Sequence, residues 1–342
     1  MPFQPSQPST AQRDSAALPT QPFFASATQR TALARERFFE RGERPTGLVS
    51  ETLLQSWSRC VAARRDPAYP VAFEPVSRSH LKATLERNRA LLAAAGDEIA
   101  RLEAAVGGSA CRVLLTDANG VIVHATAAPA SDQAPALRQV ARLGVNLAEA
   151  QVGTNAPAVV VKTGAASTVL GSEHFFDCIA TLHCAAAPIR DGQGRLAGVL
   201  DLTVEARPFA FDAAALVGVV ATVIENRLLQ AAAGALLLLQ FQVDASLLDT
   251  PLQALAGIDG QGRLAWLNGT AQKLLGGGLA GGASGSAGAG GQTPAGSAAE
   301  DWFGCSLHQL LAQTDRHAFA LPLPNGLTVW ARVRPPIEPG TA

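Results

Sequence analysis

The stretch that decides the fold is residues 181–204, TLHCAAAPIRDGQGRLAGVLDLTV. Two long apolar runs flank Asp191-Gly192-Gln193-Gly194, a cluster of turn-forming residues, and this pattern predicts a hairpin of two antiparallel strands. A second hairpin lies upstream in CRVLLTDANGVIVHAT (111–126), where Asn119-Gly120 separates two apolar strands. Between the hairpins, APALRQVARL (134–143) predicts a short helix stopped by Gly144, and ASTVL (166–170) predicts one more strand. A helix from about Phe211 to Leu229 follows, with a continuation to Leu239 left open by the apolar run there. Helix, hairpin, helix, strand, hairpin, helix is the order of an α+β domain, an antiparallel sheet with helices on one face.

On the N-terminal side, RTALARERFFE (30–40) and VSETLLQSWSRC (49–60) predict helices, the second ended by Asp66-Pro67. HLKATLERNRALLAAAGDEIARLEAAV (80–106) predicts one longer helix. In it Leu85, Leu92, Ile99 and Val106 recur every seven residues, with Leu81, Asn88, Ala95 and Leu102 as a second series. Such a stripe serves either the core of its own domain or a seam with a second copy.

On the C-terminal side the grammar repeats at smaller scale. LQALAGIDGQGRLAWLNGTAQKLLG (252–276) predicts a strand, a turn at Asp259-Gly260-Gln261-Gly262, a strand and a short helix. Residues 276–298 are rich in Gly, Ala and Ser with little to pack, a flexible linker. CSLHQLLA (305–312) predicts a helix, and the last hairpin turns at Asn325-Gly326. The organisation expected is a disordered leader over 1–28, a helical segment over 29–75, a sensory domain with flanking helices over 76–240, and a smaller module over 241–342.

Composition narrows the class. The chain has 342 residues, 48% of them hydrophobic, and 27 basic against 28 acidic residues, net charge −1. That is a chain able to bury a core, with no basic block to grip nucleic acid. The five cysteines form no CxxC pair and no secretory signal precedes them, which points to a reducing cytoplasm. The apolar run Leu228–Phe241 is too short to span a bilayer, so no membrane association is expected.

The candidate chemistry gathers in AQVGTNAPAVVVKTGAASTVLGSEHFF (150–176). Gly153 permits a tight turn, while Thr154 and Asn155 can bond neighbouring amides or a polar ligand. Glu173 and His174 are neighbours, so on a strand they would face opposite sides and could not act as an acid/base pair. Cys178, His183 and Cys184 offer at most three metal ligands, two of them adjacent, which is poor zinc spacing. Paired-thiol redox chemistry at Cys178 and Cys184 is the remaining catalytic alternative. A ligand pocket without chemistry accounts best for the stretch. It lies between the central sheet and loops 147–155 and 170–176, with Phe175 and Phe176 giving apolar area and Thr154, Asn155 and His174 orienting polar groups. No metal or cofactor is expected.

Taken in order, LLQSWSRC, ERNRALL, LLTDANGVIVHAT, AEAQVGTNA, GSEHFFD, HCAAAPIRDGQGRLAGVLDLT and VIENRLL resemble the N-terminal GAF domain of the acetoin-catabolism-regulator family of sigma-54-dependent activators. LAGIDGQGRLAWLNGTAQKLLG and LTVWARVRP resemble the PAS-like module that follows it there. The resemblance covers about residues 48–275 and the final hairpin. It implies a small-molecule effector, acetoin-like or aromatic, and signalling through paired helices as a homodimer or as a heterodimer with a full-length regulator. Two departures stand out. APAVVV follows GTN where the family has Ala-Ile-Gly-Thr, and no GxxxxGK[ST] phosphate loop occurs before the terminal EPGTA. The expectation is therefore a non-enzymatic sensory region without an ATPase or DNA-reading domain of its own, acting through a partner. A non-sensing interaction protein or truncated remnant is one alternative, and a GAF-type free methionine sulfoxide reductase another.

Overall fold

A computed structural model describes residues 26–127, 134–232, 234–276, 296–314 and 317–335. The expected leader and linker fall outside the described residues, apart from a few at their margins. The chain divides into two units, 1–50 and 51–342. In the first, α1 (Ala27–Arg35) is capped by Ser26, whose side chain accepts from the Gln29 amide, and it widens into a π-turn over Glu36–Glu40.

The second unit opens with α2 (Glu51–Ala62), α3 (Arg78–Arg87) and α4 (Arg89–Val106). The helix expected over 80–106 is thus two, broken at Asn88, whose side-chain amide bonds the Thr84 carbonyl at 2.8 Å. A residue that offers its own backbone an alternative partner interrupts the helical ladder. There follow β1 (Arg112–Asp117), β2 (Ile122–Ala125), α5 (Pro135–Val140), α6 (Glu149–Val152), α7 (Ala156–Thr163), β3 (Ser167–Leu170), β4 (Leu182–Arg190), β5 (Leu196–Glu205) and α8 (Ala213–Gln230). The five strands form one antiparallel sheet in the order β2-β1-β5-β4-β3.

Both faces of this sheet are covered, not one as the order of elements suggested. Side chains alternate across a strand, so Leu200, Leu202 and Val204 of β5 join Ala185, Ala187 and Ile189 of β4 beneath α4 and α8. Leu91, Ala95, Ile99, Leu102 and Val106 of α4 are buried in that same core. The heptad stripe is therefore spent inside the chain's own fold. Arg227 of α8 closes the helix pair on Glu98 at 2.7 Å. The opposite face is covered by α7, which packs on β4 and β5. The β-branched run APAVVV is helical because Asn155 caps it, accepting from the Ala158 amide at 2.9 Å, and Pro157 suits a helix's first turn.

The closing helix ends at Gln230. Leu237 begins a strand, β6 (Leu237–Gln242), so the continuation towards Leu239 does not form. With β7 (Ala254–Ile258), β8 (Leu264–Leu267), β9 (Phe319–Pro322) and β10 (Thr328–Arg334) it builds a second antiparallel sheet, order β8-β7-β6-β10-β9. One face of that sheet carries α9 (Gly269–Leu274), α10 (Ala299–Phe303) and α11 (Leu307–Leu311), closed over Phe241 and Phe303. The other face rests Leu238, Leu255 and Trp266 on Leu229 of α8. Polar bonds lock this junction. Asn268 donates to Asn226 at 2.8 Å, and Glu225 accepts the Arg190 and Gly269 amides at 2.9 and 3.4 Å. Gly257 leaves the space that the Trp266 ring fills, since a Cβ there would lie 2.4 Å from it. Among the described helices α8 is long and apolar enough to cross a membrane, yet Val217, Ala221, Ile224 and Leu229 sit in the core.

Candidate functional site

On the α7 face of the first sheet, β4 and β5 present Cys184, Asp201 and Thr203. Register sets Cys184 beside Thr203 and Ala186 beside Asp201, with Leu114 on the far side of Asp201. A hollow of about 20 Å³ lies here. Its apolar lining includes Leu114, Val140, Leu147, Val152, Ile179 and Leu182, and its polar lining is Asn155, His174, Cys184, Asp201 and Thr203. Such a volume holds about one water molecule.

The polar groups are connected. Thr203 Oγ1 donates to Asp201 Oδ2 at 2.5 Å and lies 3.4 Å from Cys184 Sγ. Cys184 Sγ lies 3.5 Å from His174 Nε2, while Nδ1 of that ring lies 2.9 Å from the Gly171 carbonyl. Asp201 Oδ1 is buried without a hydrogen-bond partner. Burial pushes the Asp201 carboxyl up to about 7, and the Thr203 hydrogen bond opposes that only in part. Burial and the Asp201 charge raise the Cys184 thiol well above its ordinary value.

Of the residues expected to contact a ligand, Asn155 and His174 line the hollow, and Thr154, Phe175 and Phe176 do not. Asn155 is also the fastener of its loop. Its Nδ2 donates to the Leu147 and Gly153 carbonyls at 2.8 and 3.0 Å. Phe175 and Phe176 stack edge to face at 4.9 Å. They pack on Gly153, whose φ of +67° and lack of a Cβ let the Phe176 ring approach; an added Cβ would sit 2.9 Å from it. Thr154 faces away from the hollow, towards α2, where it shares a 2.7 Å hydrogen bond with Ser56.

That contact belongs to a second buried cluster. Arg59 holds Glu149 through two bonds of 2.7 Å, Ser56 donates to the same carboxylate at 2.6 Å, and Trp57 Nε1 donates to the Glu173 carbonyl at 2.9 Å. Burial opposes the ionisation of Glu149, but the Arg59 and Ser56 hydrogen bonds outweigh it and keep its carboxyl below the usual range. Helix α2 thus grips both loops that roof the hollow. Burial pushes the neighbouring Cys60 thiol up to about 11.

The sequence missed Asp201, Thr203 and this α2 clasp. A carboxylate in an otherwise apolar strand, VLDLTV, was the available signal. Other chemistry finds no support in the geometry. Glu173 accepts the Leu170 amide at 2.8 Å and fastens its own loop. Among the described residues no group of three His, Cys, Asp or Glu side chains could hold a metal. Cys178 is exposed while Cys184 is buried with a raised pKa, the reverse of an activated attacking thiolate.

The fold is α+β, helices packed on two antiparallel sheets, with the hollow on the first. Residues 26–226 match the family described as MimR, N-terminal domain, and the chain belongs to that family. It is 30% identical over 176 residues to the propane 2-monooxygenase operon transcriptional activator MimR of Mycolicibacterium smegmatis, covering 51% of this chain and 29% of that protein. It is 31% identical over 241 residues to the acetoin catabolism regulatory protein of Cupriavidus necator, covering 68% of this chain and 36% of that one. The chain therefore spans about a third of the length of these curated relatives. In three dimensions it is similar to a chain of the E. coli DhaR(N)–DhaL complex, with a TM-score of 0.49 and 16% identity over 83% of this chain and 99% of that chain.

Proposed function

We propose that this chain is the small-molecule-sensing module of a bacterial transcriptional regulator, working in the cytoplasm. The observation that supports the reading is the hollow on the central sheet, lined by apolar side chains and by a linked set of polar groups. An acetoin-like or aromatic effector is the candidate class, as the name of the C. necator relative suggests. Pairing with a second copy, or with a longer regulator that supplies the output, belongs to the same proposal.

At about 20 Å³ the hollow is too small for such a molecule. Binding therefore selects a wider state in which loops 147–155 and 171–179 move off the sheet, and the effector shifts the balance by its preference for that state. Those loops are held by α2 through Ser56, Arg59 and Trp57, so widening pulls on α2 directly. Strain on β4 and β5 reaches α8, and through Glu225 and Asn226 the second sheet. No reacting group is required: the module reports occupancy.

A thermal-shift screen with small ketols, phenols and their neutral relatives tests the proposal. A ligand that binds only the native state raises the midpoint in proportion to the logarithm of its concentration. No midpoint change with any member of these classes at millimolar concentration would dismiss it.

A further inference from the structure

We infer that Asp201 selects the effector, accepting a hydrogen bond from the hydroxyl group of an uncharged ligand, so that compounds lacking that hydroxyl, and anions, are refused. This rests on the sensing role proposed above and adds to it a recognition residue and a chemical requirement.

The polar side chains that line the hollow hold a fixed set of donors and acceptors. Both Asn155 Nδ2 hydrogens are committed to the Leu147 and Gly153 carbonyls, and its Oδ1 to the Ala158 amide. Thr203 has one hydroxyl hydrogen, directed at Asp201 Oδ2. The His174 Nδ1–H faces the Gly171 carbonyl, which leaves Nε2 as an acceptor for the Cys184 thiol. With Asp201 ionised, each of these side-chain donors is spent within the protein. One strong acceptor, Asp201 Oδ1, is left over, fully buried on the central strand. A water molecule fits the hollow and can pair this oxygen; a guest that displaces it must supply a donor in its place or leave the acceptor unpaired. A ketone, ether or ester offers only further acceptors and leaves the oxygen unpaired.

Charge gives the second half. No Lys or Arg lines the hollow. Arg112 lies on the same sheet face beside Thr203, but it is not among the lining residues. A carboxylate or phosphate brought here would meet Asp201 and a weakly polar thiol, with no cation to offset its desolvation. Leu147, Val152, Ile179 and Leu182, which also line the hollow, suit a short alkyl or aryl group.

Matched compounds test this: phenol against anisole and benzoate, and 3-hydroxybutan-2-one against butan-2-one and pyruvate. Calorimetric titration uses the full chain at pH 8, where the Asp201 carboxylate predominates, with Asp201→Asn and Asp201→Ala alongside. The hydroxyl compound of a series should bind at least about tenfold more tightly than its hydroxyl-free partner, the equivalent of one net hydrogen bond. The anions should not bind measurably. In Asp201→Asn the Thr203 hydroxyl takes the amide oxygen and turns the NH₂ towards the guest, so the preference should invert towards anisole and butan-2-one. In Asp201→Ala it should vanish. Equal binding of both partners by the unaltered chain, or an unchanged preference in both variants, overturns the assignment while leaving the sensing role intact. Binding of none of the six compounds removes the sensing role itself, and this assignment with it.

Discussion

Replacing Asp201 by Asn should stabilise the protein in a pH-dependent way whose size follows from the structure. Asp201 has no exposed surface, one oxygen has no partner, and burial carries its pKa from 3.8 to about 7. An acid whose folded pKa is raised holds its proton in the native state at pH values where the unfolded chain has lost it. Stability therefore falls with rising pH between the two values. Below pH 3.8 the carboxyl costs nothing; above about 7 the whole cost is present. Each unit of separation is worth about 1.4 kcal/mol, so the burden approaches about 4 kcal/mol at alkaline pH. Between pH 5 and pH 7 alone it grows by roughly 2 kcal/mol. Asn keeps the shape and an acceptor for Thr203 and carries no charge. Urea unfolding of both proteins at half-unit steps from pH 5 to pH 9 should give curves that diverge up to about pH 7 and then run parallel, with the variant more stable. Curves that stay parallel from pH 5 would show that Asp201 ionises freely, and both the burial argument and the donor account would fall with it.

Four further outcomes follow from the same contacts. Glu149→Ala frees Arg59 and strips Ser56 of its acceptor; because Arg59 is partly solvated the loss should be modest, about 2 kcal/mol, read by thermal denaturation. Asn155→Ala removes the α7 cap and two loop bonds, and should cost about 2–3 kcal/mol by urea unfolding whether or not a ligand is present. Gly198→Ala should cost about 1–3 kcal/mol in the same assay, since its Cβ would lie 2.5 Å from the Thr116 carbonyl oxygen and 2.6 Å from Leu91. In a native thiol titration Cys178 should react at once, while Cys60, Cys111 and Cys184 wait for unfolding; early modification of Cys184 would show that the hollow is already open.

What the sequence disclosed, and what it withheld, divides along the range of the interactions. The hairpins at Asn119-Gly120 and Asp191–Gly194 were legible because turn chemistry is local and each turn is flanked by apolar runs. The strand β6 was not: LLLLQFQ following an apolar helix has no feature that separates a buried strand from a further helical turn, and only its pairing with β7 and β10 decides. The heptads of 81–106 were real as a periodicity, yet periodicity names a buried stripe without naming what buries it. Here α8, far along the chain, covers it. In the Gly-Thr-Asn loop the residue types were recognised but their duties were exchanged. Thr154 turns to α2, Phe175 and Phe176 clamp Gly153, and only Asn155 and His174 reach the hollow.

The residue that matters most to the proposed function was hidden by the same logic. Asp201 lies between Leu200 and Leu202 in the sequence, and no basic residue of its strand offers it a counter-charge. Its surroundings come from three separate places: Thr203 beside it, Cys184 across the hairpin, and His174 from the loop before β4. An ionisable group placed where it must remain largely unsatisfied is costly, by the about 4 kcal/mol argued above. The nearby strands show that an apolar residue is readily accommodated at equivalent positions, such as Leu114 and Ala186. A side chain that weakens the fold at neutral pH, and lines the hollow that the hairpin builds with its loops, is explained by what enters that hollow rather than by the packing around it.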